Sequence, residues 1–367
     1  MSAINQLDID SILSPITEDI PTGKDLRDDD AHNSVYRELR DARTTARNNE
    51  RTALASGESS FINPNDWTFL LEKAPEVLQA HSKDLEVTTW LIEALARING
   101  FSGVATGYKI ARQLIEEYGE NLYPIPDEEG IASQLISLIG LNGVGGEGTL
   151  VSPIRAIPLT GNDNNSVGPF ASWHCEQAFE VERIADPAKR DAKLQQGAVA
   201  RSDIDQAVNE TSAVFLQGLH EDINSAINEY KLFQDVLNDY CEHDPQPSSK
   251  ILELLESSLQ TLHYIAADKI VELQDPDEDQ SVTEGEQGNS PSKSKALDSR
   301  EAALSSLREV ANYFRRTEPH SPISYAIEQA VYWSQLPLPA LIQELIPDEG
   351  ARIRYQNLTG IRKVGEE

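Results

Sequence analysis

At 367 residues, with 61 acidic against 31 basic side chains and a formal charge of −30, the chain is long enough for two or three domains with cores of their own. That charge excludes nucleic-acid backbones and anionic membrane surfaces as partners, because both are held by basic stripes. No apolar run approaches the roughly 18 to 20 residues of a membrane span, which excludes direct membrane insertion.

The first residues, MSAINQLDIDSILSPI, carry acids where a signal peptide needs bases, so the expectation is a protein that is not exported. The two cysteines, Cys175 and Cys241, lie far apart and fit a reducing cytosol. Residues 31–50 read as an amphipathic helix through Val35, Leu39 and Ala42, followed by a polar loop from Asn48 to Asn63. Asp66 is placed to cap the next helix, whose apolar face is Trp67, Leu70, Leu71, Ala74 and Leu78.

Two helices follow within Ser82 to Pro124. Ser82 is expected to cap the first, with Asp84 and Glu86 in its first turn and Leu85, Thr88, Leu91, Ile92, Leu95 and Ile98 on one face. Asn99-Gly100 supplies a stop that tolerates the left-handed αL conformation. The second helix buries Val104, Tyr108, Ala111, Leu114, Ile115 and Tyr118, and so short a connection requires the two to run antiparallel. With a further helix over Ile131 to Leu141, the N-terminal part reads as stacked antiparallel helices with Trp67, Trp90 and Phe101 as core anchors.

From Asn142 to Pro169 glycine, proline and asparagine dominate, and Thr149 to Val151 and Ile154 to Ile157 are the plausible short strands. Helical spacing returns over Ser202 to Tyr240, through Ile204, Val208, Thr211, Phe215, Leu219, Ile223, Ile227 and Tyr230. It returns again over Ser249 to Leu273, the pair forming a hairpin or small bundle around Pro245-Gln246-Pro247. Asp275 to Lys295 has almost no apolar residues and reads as a disordered tether. Asp298 and Glu301 open a helix that buries Leu304, Leu307, Val310, Ala311 and Phe314. Two more follow, with Ile323, Ile327, Ala330 and Val331, and with Leu341, Ile342 and Leu345. The expected fold class is all-α. The expected domains are 1–160 and 170–273, a flexible linker at 274–296, and a C-terminal oligomerisation domain at 297–367.

Three constellations invite a chemical reading, and each has a plainer one. Gly143 to Gly148 satisfies GxGxxG, but a helix precedes it where the phosphate-binding motif needs a strand, so it reads as a connector. His174-Cys175 and Cys241-x-His243 lack zinc-ligand spacing. Glu318, His320 and Ser321 lie consecutively between prolines and cannot easily converge as a triad, so they read as a rigid turn. No catalytic, cofactor-binding or metal-binding residue is assigned.

Four segments, in order, resemble the ImpA/TssA family of bacterial type VI secretion. They are Pro21 to Asp28 (PTGKDLRD), Asp66-Trp67, the run containing Ser82 to Leu85, Trp90-Leu91, Glu93 to Leu95, Gly100-Phe101 and Leu122 to Pro124, and Arg315 to Pro322 (RRTEPHSP). The last is similar to the C-terminal region of a baseplate-associated subgroup. The sequence departs from the family pattern at Gly119, where a bulky aromatic is expected after Tyr118. The resemblance implies a non-enzymatic, cytoplasmic structural protein. It would form a ring-shaped homo-oligomer and contact baseplate, inner-tube, sheath and membrane-complex proteins. Phe314, Glu318, Pro319, His320, Ser321, Pro322 and Trp333 are the expected oligomer or partner contacts. A helical scaffold unrelated to secretion is the alternative.

Overall fold

The structure, a computed structural model, describes residues 7–271 except 58–60, 129, 144–145, 162–164 and 242–244. Beyond these it describes 307–308, 310–311, 315, 322–334, 338–345 and 350. The described residues are helical, with isolated bridges and no strand. The chain divides into two compact units, residues 1–280 and 281–367.

In the first unit, α1 (Ile9–Leu13), α2 (Val35–Ala55) and α3 (Thr68–Ala80) precede α4 (Leu85–Tyr118). α4 is two helices joined at Gly100, whose φ of 61° and ψ of −137° lie in a region open to glycine and closed to side chains, beyond the αL conformation expected from the sequence. The arms fold back on each other at van der Waals distance: an ideal Cβ on Gly103 would stand 2.0 Å from the Leu95 carbonyl oxygen, and one on Gly107 2.9 Å from Ile92 Cγ1. The antiparallel pair is therefore present, and glycines set how closely it packs. Trp67, Trp90 and Phe101 are all buried, as expected.

Several boundaries differ from the sequence reading, each for a local reason. Asp84, not Ser82, caps α4, accepting from Glu86 N at 2.8 Å and Val87 N at 3.1 Å, while Ser82 is itself buried. Asn63, not Asp66, caps the 3-10 turn Pro64–Trp67 that leads into α3. α2 continues to Ala55 through the polar stretch read as loop, because Glu50 turns inward to Arg97 and Trp67. Gly119 takes a positive φ of 49° at the end of α4, a cap that a bulky residue adopts only under strain.

α5 (Ile131–Asn142) is followed by α6 (Val151–Arg155), a short helix where strands were expected. α7 (Ser172–Glu182), α8 (Pro187–Gln195) and α9 (Arg201–Glu210) lead to α10 (Ala213–Cys241) and α11 (Ser249–Val271). The long helix expected over 202–240 breaks at Thr211, whose backbone turns extended, and Ser212 Oγ then accepts from Phe215 N at 3.2 Å to start α10. Phe215 is 41% exposed rather than core.

The helices expected to form a separate middle domain share one core with the N-terminal helices. Among the described helices the most extensive contact is that of α4 with α10. There Tyr108 meets Tyr230 edge-on at 4.7 Å and Phe233 at 5.0 Å. α11 packs on α10, and its first turn is held by Asn142 Oδ1, which accepts from Ile251 N at 3.0 Å.

In the second unit, α12 (Ile323–Trp333) and α13 (Leu338–Leu345) bury Ser324, Val331 and Ile342. Leu307 and Val310, expected inside, are 40% and 43% exposed, and only Ala311 of that helical face is buried among the described residues. The expected tether and residues 351–367 lie outside the described residues.

Candidate functional site

Two of the four sequence motifs, the second through both of its ends, converge on one point. Lys83 N donates to Thr22 O at 2.8 Å, Leu85 N to Tyr123 O at 2.7 Å and Tyr123 N to Lys83 O at 2.9 Å. Segments 21–28, 82–85 and 122–124 are thus laced by their backbones, with single bridges Gly23–Ser82 and Asp84–Tyr123.

Two adjacent, fully buried residues of opposite charge occupy the centre. The Lys83 ammonium donates to Ile12 O at 2.5 Å and Leu78 O at 2.7 Å, carbonyls in the last turns of α1 and α3. Helix C-termini leave carbonyls unpaired and carry partial negative charge, so one cation satisfies two helix ends. Asp84 caps the start of α4, where partial charge is positive. Burial raises its carboxyl pKa, and Arg27 at 2.7 Å opposes that rise. Arg27 also binds Glu86 at 2.6 Å and Asp25 at 3.0 Å, and Tyr36 donates to Glu86 at 2.8 Å. Lys83, Asp84, Arg27 and Glu86 are each bonded to another part of the chain. The Lys83 amine is pushed down to about 8 by burial, yet it faces carbonyls rather than an open pocket. These residues serve as the architectural joint of the first unit.

A second polar cluster lies between α2 and α4. Arg97 grips Glu50 with two bonds of 2.6 and 3.0 Å, and its guanidinium lies 3.9 Å from the Trp67 ring centre. Trp67 Nε1 donates to Glu50 at 2.8 Å, and Arg43 pairs with buried Glu93. A hollow of 210 Å³ opens beside this cluster, lined by Arg47, Arg51, Arg97, Leu54, Phe61 and Thr149 among others. Leu54 and Phe61 also border a larger cavity of 630 Å³ that runs past Trp173 to Lys193.

The constellations singled out in the sequence take structural roles. The Gly143 loop closes the C-terminus of α5: Thr149 N and Leu150 N donate to Gly140 O and Leu141 O at 3.1 and 3.2 Å. The loop thus follows a helix C-terminus, whose partial charge is negative, and not the helix N-terminus that a phosphate requires. His174 Nδ1 accepts from Ala171 N at 3.0 Å at the start of α7, and burial pushes its pKa down to about 4. Burial pushes the neighbouring Cys175 thiol up to about 12. Cys241 is buried and His243 lies outside the described residues. No group of three metal-ligating side chains occurs among the described residues.

Of the expected contact residues, Phe314, Glu318, Pro319, His320 and Ser321 lie outside the described residues. Pro322 is exposed at the start of α12, and Trp333 is half-buried with an Nε1 that has no partner among the described residues. Sequence reasoning missed the work of Lys83, and also Lys269, whose ammonium donates to Val208 O, Asn209 O and Thr211 O at 2.8 to 3.0 Å at the end of α9. Neither lysine is distinguished in the sequence from one on the surface, because each acquires its role only from helix ends brought to it by the fold.

Residues 13–143 match the family model described as ImpA, N-terminal, type VI secretion system. The chain is 23% identical over 362 residues to the type VI secretion system component TssA1 of Pseudomonas aeruginosa, an alignment covering 93% of this chain and 96% of that protein. Residues 13–143 thus carry an ImpA N-terminal region of the type VI secretion system, and the chain is similar to a TssA component along nearly its whole length. Its fold is similar to the N-terminal domain, including the conserved ImpA_N region, of the TssA component from Burkholderia cenocepacia. That likeness has a TM-score of 0.59 at 23% identity and covers 72% of this chain and 95% of the other. The joint of Lys83, Asp84 and Arg27 lies inside the region that the family model matches. No helix among the described residues is long and apolar enough to cross a membrane.

Proposed function

We propose that the chain is a non-enzymatic, cytoplasmic structural component of the type VI secretion system. In this reading it forms a ring-shaped homo-oligomer through residues 297–367 and helps assemble the baseplate and the tube and sheath. The observation that carries the reading is the apolar surface left open in the second unit: Tyr325, Tyr332 and Leu345 are 63%, 49% and 51% exposed, beside Leu307 and Val310. Apolar surface of that kind on a small helical unit is normally covered by another copy, and a head-to-tail contact that closes gives a ring. The indole N–H of Trp333, without a partner among the described residues, fits the same role, since tryptophan N–H groups usually find a partner when buried. We place the contact at Phe314, Glu318, Pro319, His320, Ser321, Pro322 and Trp333. The joint around Lys83 supports the non-enzymatic reading, because its charged groups are consumed in holding helices together.

Affinity purification of the tagged chain from its own cells tests the assignment. Co-purification of baseplate, tube or sheath subunits is expected. Recovery of the chain with none of them would count against it.

A further inference from the structure

α2 carries five arginines, Arg37, Arg40, Arg43, Arg47 and Arg51, in a chain whose formal charge is −30. Four of them have polar partners: Asp30 for Arg37, Asp41 for Arg40, Glu93 for Arg43 and the Asn48 amide for Arg51. Arg47, half-buried, makes no hydrogen bond or ion pair with any described residue, and it lines the 210 Å³ hollow with Arg51 and Arg97. Arg97 is already held by Glu50. The Thr149 hydroxyl lines the same hollow, shielded from solvent and without a partner among the described residues. Burial foremost, and then Arg43, Arg51 and Arg97, lower the Arg47 pKa against the pull of Glu93, so its charge is held at a cost. An incoming carboxylate would recover that cost.

The hollow continues over Leu54 and Phe61 onto Trp173 and Pro158 in the larger cavity. Leu54 is 54% exposed. A cation thus stands at the end of an apolar groove.

We propose that this groove docks an acidic segment of a partner protein. One carboxylate sits on Arg47 and Arg51, and an aromatic or large aliphatic side chain near it in sequence packs on Leu54, Phe61 and Trp173. Charge complementarity favours this groove over the strongly negative remainder of the chain; of the two carboxylates that also line the hollow, Glu50 is held by Arg97 and Glu147 accepts from Ser152 Oγ at 3.1 Å. The inference stands on the groove alone and does not depend on the ring assignment.

The test is selection of a random short-peptide library against the immobilised full chain, followed by fluorescence anisotropy with the enriched peptides. The expected consensus places Asp or Glu close to Phe, Trp or Leu. Arg47→Gln should weaken binding by about tenfold or more, as expected for removing one partner of a charge pair. Arg51→Gln, at an exposed position, should weaken it in the same direction and keeps the test decisive if Arg47→Gln lowers thermal stability. Leu54→Ser should also weaken it. A library that yields no enrichment, a consensus without acids, or equal affinity for the wild-type chain and Arg51→Gln would each overturn the proposal.

Discussion

Lys83→Met keeps an unbranched apolar stem out to Cε, with a sulfur in place of Cδ, and removes the ammonium. The carbonyls of Ile12 and Leu78, now 2.5 and 2.7 Å from Nζ, lose their donor inside the core. Two orphaned buried acceptors cost about 1–3 kcal/mol each, and relief from burying the charge offsets part of this, leaving a net loss of about 2–4 kcal/mol. In urea titrations the midpoint should fall with the slope unchanged. The pH dependence provides a second check. The folded amine has its pKa pushed down to about 8 from 10.5, so the unfolded chain binds more protons between those values and the wild type gains stability as pH rises through that window. Lys83→Met lacks this gain, and the gap between the two proteins should widen with pH. An unchanged midpoint at neutral pH, with a gap that does not depend on pH, would refute the role given to Lys83.

Trp90, buried and 5.4 Å from the Tyr36 ring, should cost about 3–5 kcal/mol when changed to Ala, read from the loss of melting stability. Gly103→Ala places a Cβ 2.0 Å from the Leu95 carbonyl oxygen, so the arms of α4 must part; the loss should be about 3 kcal/mol or more by denaturant titration, and no loss would mean the arms do not touch. His174 has its pKa pushed down to about 4 from 6.5, so the unfolded chain binds more protons across that window and stability falls as pH drops through it. His174→Gln should flatten that fall, worth on the order of 3 kcal/mol at 1.36 kcal/mol per pKa unit, when unfolding is compared at neutral pH and near pH 4.5.

Helical periodicity makes the core legible: Trp67, Tyr108 and Tyr230 fall on apolar faces by spacing and are buried, as are the expected anchors Trp90 and Phe101. Polar residues with inward roles were not legible. Glu50 sits in a stretch that reads as loop, and its burial depends on Arg97, far away in sequence. Lys83 looks like a surface lysine until two helix ends meet around it. The same limit explains Thr149 to Ile157, where β-branched residues suggest strands but α6 forms against α4 and α11. The motifs around Lys83 marked the right residues, while their geometry gives them an architectural role. The arginine-lined groove left little signal, because its walls come from α2, from the segment after it and from α7.

The most direct test of the central claim is the mass in solution of the full chain and of a chain ending at Val271, measured side by side by light scattering. The full chain should be a closed multimer of fixed subunit number, and the shortened chain a monomer or at most a dimer. A shortened chain that keeps the parent's subunit number would move the interface into the first unit and contradict the assignment of ring formation to residues 297–367.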